Sequence, residues 1–188
     1  MKKRAKPKND LETKLERLDQ YDYIDEDLMY KKRDKYAPLI GKFLIEFSNL
    51  EHTLDIEIAE LLGHGSHDTG YAVLKNLDFS SKIELFYDLV YPLVCCAEKR
   101  KEQKLLQIKE FRNKLDNLCV LRNKIAHAKW YTLDKDGYVR VSVKTNKIDG
   151  LINFRKLKIT PTIIKNGLKR IEPLSEKLSD FTERLWAQ

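Results

Sequence analysis

The sequence predicts an all-α fold, a helical bundle with one small β-hairpin inserted late in the chain. Two observations predict it. In three long stretches the apolar residues recur at steps of three and four, the repeat that gathers them on one face of an α-helix. In one short stretch near residue 130 the repeat drops to two and the residues become branched and aromatic. With 188 residues and 42% hydrophobic content, the chain is sized for one compact domain with a full core. We expect a basic tail and charged segment over 1–34 and a single helical domain over 35–188, with the hairpin near 130–144.

Each element has its own local reason. Residues 11–34 are charged and aromatic, with Tyr21, Tyr23 and Tyr30 and few aliphatics, and are expected as short helical pieces on the outside. Tyr36, Ile40, Phe43, Phe47, Leu50, Leu54 and Leu61 carry a helical stripe up to Gly63, and Gly63-His64-Gly65-Ser66 ends it. A shorter helix is expected over 68–77. Ser81-x-x-Glu84 reads as a capping box that opens a third helix running toward Cys96, with Pro92 bending or breaking it. Leu105, Ile108, Phe111, Leu115, Leu118, Leu121 and Ile125 form the stripe of a long helix over about 102–127. Trp130-Tyr131-Thr132-Leu133 and Tyr138-Val139-Arg140-Val141-Ser142-Val143 flank Asp134-Lys135-Asp136-Gly137, the hairpin pattern. Thr160-Pro161 opens a last helix as N-cap and first-turn proline, with Leu168, Ile171, Leu174, Leu178, Phe181 and Leu185 on its apolar face and a kink expected at Pro173.

Charge is distributed unevenly. The formal net charge is +7, and Lys2, Lys3, Arg4, Lys6 and Lys8 supply +5 of it. Residues 9–60 hold 14 acids and 7 bases, a local charge of −7, whereas residues 140–170 hold 9 bases and one acid, a local charge of +8. The basic part could attract the acidic first helix or line a channel for phosphate. No apolar run approaches the roughly 18 residues of a membrane span, and the basic N-terminus leads into acidic residues instead of an apolar stretch, so neither a membrane contact nor a secretory signal is expected. The expected location is the cytoplasm. Cys95, Cys96 and Cys119 lack the spacing of a zinc site or a disulfide framework and read as reduced packing residues. His64 and His67 sit in a glycine-rich turn with no third ligand nearby, so no metal is expected there. Walker, Rossmann and Gly-x-Ser-x-Gly patterns are missing from the sequence, and no cofactor is expected.

The most informative stretch is Arg122-Asn123-Lys124-Ile125-Ala126-His127, at the end of the long motif helix. A histidine can exchange a proton near neutral pH, an arginine can grip a phosphate through two parallel N–H donors, and an asparagine can orient either. Arg122 lies seven residues after Leu115 and fourteen after Ile108, so a permanent charge replaces an aliphatic side chain on the apolar seam. Such a charge costs several kcal/mol unless it is paired or borders a wet cavity, so a structural role would need a nearby carboxylate. Five residues separate Arg122 from His127, which sets them roughly 140 degrees apart on an ideal helix. Convergence would require an unwound last turn, a long reach by the arginine, or a second copy of the helix in a two-fold dimer.

Arg122-Asn123-x-x-x-His127 resembles the signature of the HEPN domain (higher eukaryotes and prokaryotes nucleotide-binding). Upstream, the run from Phe43 through Glu51-His52 and the run Leu77-Asp78-Phe79-Ser80-Ser81-Lys82-Ile83-Glu84-Leu85 resemble the first and middle helices of small bacterial members. The resemblance covers roughly residues 36–130. It implies a helical bundle that dimerises, a composite cleft holding both motifs, and metal-independent endoribonuclease activity, often in toxin-antitoxin or antiphage systems. The expected catalytic residues are Arg122, His127 and Asn123, with Glu51 and Lys129 as supporting candidates; the expected partners are RNA, a second copy of the chain and a cognate antitoxin. Two other readings stay open at this point: a non-catalytic dimeric module of the same fold that binds RNA, a nucleotide or a protein, and a purely structural helical dimer.

Overall fold

The computed structural model describes residues 12–15, 26–63, 67–96, 101–127, 129–134, 137–145, 150 and 152–186. Along them run β1 (Glu12–Leu15), α1 (Glu26–Gly63), α2 (His67–Leu74), α3 (Phe79–Cys96), α4 (Lys101–Ala126), β2 (Lys129–Asp134), β3 (Gly137–Thr145), β4 (Ile152–Lys158) and α5 (Pro161–Trp186). The chain divides into two compact units, Met1–Ile40 with Lys124–Ile164, and Gly41–Asn123 with Lys165–Gln188. Helix α1 runs unbroken through the boundary at residue 34 that composition suggested.

The second unit is a helical bundle. Its core is built from the stripes read in the sequence: Phe43, Phe47, Leu50 and Leu54 of α1, Ile83, Phe86 and Val90 of α3, Ile108, Leu115 and Leu118 of α4, and Leu174 and Leu178 of α5 are all buried. Contacts fix the helix directions. Thr53 meets Ser175 at 2.9 Å and Glu57 meets Ser179 at 2.6 Å, so α1 and α5 run parallel. Phe111 packs on Phe181 with centroids 5.4 Å apart, while Leu121, ten residues later, lies against Gly167, so α4 runs antiparallel to α5. A Cβ on Gly167 would stand 2.7 Å from Phe43 and 2.8 Å from Leu121, so glycine lets α5 settle close against both neighbours. Gly70 does the same for α2, where a Cβ would stand 2.5 Å from the Cα of Ala59.

Two buried charged clusters tie helices together. Glu57, 6% exposed, accepts hydrogen bonds from the hydroxyls of Ser179 and Thr182. Lys82 of α3 donates to Glu51 Oε1 and Asp55 Oδ2 of α1, both at 2.9 Å. Burial alone would push the Lys82 ammonium down, but the hydrogen bonds and charges of Asp55 and Glu51 outweigh it and raise it above its ordinary value.

Local signals held in some places and moved in others. Thr160 caps α5 as expected: the Ile163 N–H reaches its Oγ1 at 3.4 Å, and Pro161 occupies the first turn. Helix α3 opens earlier than the Ser81-x-x-Glu84 pattern indicated. Asp78 is its cap, accepting from the Ser81 N–H at 2.7 Å, because a carboxylate is the stronger acceptor for the free first-turn amides. Those bonds hold the Asp78 carboxyl below its ordinary value. Neither Pro92 nor Pro173 ends its helix, since buried Val90 and Val94, and Ile171 and Leu174, keep both flanks packed. Pro38 likewise lies inside α1.

In the first unit the strands form one antiparallel sheet in the order β1-β4-β3-β2. β2 pairs with β3 through Trp130↔Arg140, with a register shift between Thr132 and Asp134. β3 pairs with β4 through Arg140↔Leu157, and β4 pairs with β1 through Glu12↔Leu157. β1 stands where short helical pieces were expected, and β4 was not expected at all. Both are short, lysine-bearing segments stabilised by pairing between residues far apart in sequence, which periodicity cannot register. Among the described residues, no helix is long and apolar enough to cross a membrane.

Candidate functional site

Arg122 and Asn123 lie in the last turns of α4, and His127 follows its final residue. The helix forms here because Leu115, Leu118 and Ile125 are buried along one stripe, and that stripe carries Arg122 inward at half exposure. Asn123 is exposed, and so is His127.

The surroundings of Arg122 consist of a ring and an amide. Its guanidinium carbon sits 5.7 Å from the centroid of the Phe47 ring, and its Nη1 donates to Asn123 Oδ1 at 3.0 Å. The other end of the same amide points back along the helix, Asn123 Nδ2 lying 3.7 Å from Cys119 Sγ. Asn123 is thereby held at both ends and in turn holds the guanidinium. Burial pushes the Cys119 thiol up, with the Arg122 charge opposing it, so at neutral pH the sulfur stays protonated beside the cation. Among the described residues, no carboxylate lies within ion-pairing distance of Arg122. Of its five N–H donors, the bond to Asn123 uses one.

Compared with known protein families, with curated proteins and with solved structures, the chain matches none.

The structure gives both supporting candidates other partners. Glu51 is half-buried on α1 and is engaged by Lys82. Lys129 opens β2, its backbone paired opposite Val141. His64 lies outside the described residues, as do the N-terminal lysines. Among the described residues, no group of three or more His, Cys, Asp and Glu is placed to hold a metal ion. Sequence reasoning missed the aromatic face under the guanidinium. Phe47 was legible only as one more member of the α1 stripe, because a core ring and a ring that also carries a cation have the same spacing.

The arrangement can do two things chemically. A half-buried guanidinium with spare donors, braced by a ring and an amide, can accept an anionic oxygen without first breaking a salt bridge. An exposed imidazole can move a proton to or from a bound ligand.

Proposed function

We propose that the protein is a metal-independent endoribonuclease of the HEPN type, acting in toxin-antitoxin or antiphage defence, with its cleft composed by two copies of the chain. The observation that carries this reading is Arg122: a permanent charge on an apolar seam, held by Phe47 and Asn123 and free of any described carboxylate. A structural arginine in that position would be expected to carry an acidic partner. His127, exposed just past the end of the same helix, is the available proton carrier. The roughly 140-degree separation of the two on one ideal helix is the reason for assigning a second copy to the site.

In the proposed reaction the 2′-hydroxyl of a ribose attacks the adjacent phosphorus and loses its proton to a base. The bond from phosphorus to the 5′-oxygen breaks, and that oxygen gains a proton. The products are a 2′,3′-cyclic phosphate and a 5′-hydroxyl end. His127 takes up or delivers one of these protons, Arg122 neutralises charge on the crowded phosphorane, and Asn123 fixes the guanidinium toward the scissile phosphate. The resemblance also implies a cognate antitoxin as partner.

The test is incubation of the purified protein with RNA in excess chelator. Cleavage by the wild type and a loss of about 10²-fold or more in His127→Ala is the expected result, the scale set by removing a general acid or base. RNA binding without cutting by the wild type would instead identify a non-catalytic binding module.

A further inference from the structure

The α4–α5 packing opens a concave space of about 200 Å³ on the bundle, lined by Lys114, Leu118, Lys169, Arg170, Pro173 and Lys177 among others. Four cations from two helices thus meet around one depression, and no acid lines it. Glu110 holds Lys114 at 2.5 Å, and the hydrogen bond from Lys114, helped by the charges of Lys114 and Lys177, keeps its carboxyl below its ordinary value. Among the described residues, Lys169 and Arg170 have no carboxylate within ion-pairing distance. Lys169, Arg170 and Lys177 are exposed and Lys114 is half-buried, so all four cations at the rim are open to a ligand from solvent.

The walls add a second chemistry. Pro173, inside α5, puts an apolar ring in the wall of the depression. The floor is apolar, with Leu118 fully buried. Leu118 lies one helical turn before Arg122 on α4, so the depression and the proposed cleavage site share a helix.

We infer that this depression seats the ribose–phosphate backbone of a single RNA strand. The cations take phosphate oxygens, which are the same on every nucleotide, so the bases go unread. The inference rests on the nuclease reading and extends it to how the substrate is held. Binding here is independent of base sequence and sensitive to salt, because each neutralised phosphate releases counterions.

The experiment measures binding of an unstructured RNA oligonucleotide by fluorescence anisotropy over a range of KCl, in a His127→Ala background so that nothing is cut. The double variant Lys169→Gln/Lys177→Gln alters two exposed side chains, and its helical content is checked by circular dichroism. Loss of two phosphate contacts lowers the slope of log affinity against log salt by about 1.4. An unchanged slope with RNA still bound overturns the cleft assignment and leaves the nuclease reading standing. The expected loss of slope, in a protein whose wild type cuts no RNA, supports the cleft and overturns the nuclease. RNA that binds neither form overturns both. A polyglutamate peptide that binds as tightly as RNA and loses the same slope would assign the depression to an acidic protein partner and overturn the ribose–phosphate assignment.

Discussion

Arg122→Ala is expected to reduce RNA cleavage by about 10²–10³-fold, the scale of removing one preorganised donor to a developing anion, while the fold stays intact. Its described interactions are a cation–π contact at 5.7 Å and one hydrogen bond to a neighbouring exposed residue. Those are worth about 1 kcal/mol together, and removing a half-buried charge relieves desolvation of comparable size. The melting temperature should therefore move by no more than about 2–4 °C in either direction. Thermal denaturation alongside a cleavage assay separates the outcomes. A drop of ten degrees or more would identify Arg122 as a structural member of the core and remove the observation on which the functional reading rests.

The largest stability effect is expected at Lys82. Its side chain is 8% exposed and bridges Glu51 and Asp55, whose second oxygen is buried and without a hydrogen-bond partner among the described residues. Lys82→Met keeps the apolar stem but leaves two carboxylates facing each other, and should cost about 3 kcal/mol, the lower end of the range for breaking a buried pair because both carboxylates keep some exposure to water. Adding Glu51→Gln and Asp55→Asn should restore part of the loss, since the remaining groups then carry no unpaired charge. The pH dependence has a definite sign. The folded state raises the Lys82 ammonium above its ordinary value, so its contribution is fully present below about pH 10.4 and is lost as pH rises through the higher folded value. Melting temperatures between pH 7 and 11 should show an alkaline loss in the wild type that is reduced in Lys82→Met.

Much of the bundle was legible because burial and period coincide. Phe43, Phe47, Leu50 and Leu54 are spaced as a helix face and are buried as one. The first turns of α1 were not legible. Most of the described side chains between Glu26 and Lys35 are exposed, so that part of the helix has no apolar stripe to announce it and persists as an extension of the packed part. Lys82 was hidden for a related reason. It lies among Phe79, Ile83 and Phe86 on α3, and its place in the core depends on carboxylates supplied by another helix. At the candidate site, the sequence indicated a charge on the seam and an asparagine beside it, since both follow from helical geometry. It could not indicate that Phe47 lies under the guanidinium or that Lys82 engages Glu51, because those contacts depend on which helix faces meet.

In the proposed reaction RNA is cut by in-line attack of the 2′-hydroxyl, with Arg122 and His127 as the acting groups. The chemistry of the product ends, after incubation of the wild-type protein with RNA in excess chelator, tests this most directly. Fragments bearing a 2′,3′-cyclic phosphate and a 5′-hydroxyl, absent from reactions with His127→Ala, are expected. Fragments with a 3′-hydroxyl and a 5′-phosphate, or RNA left whole by a folded wild-type protein, would contradict it.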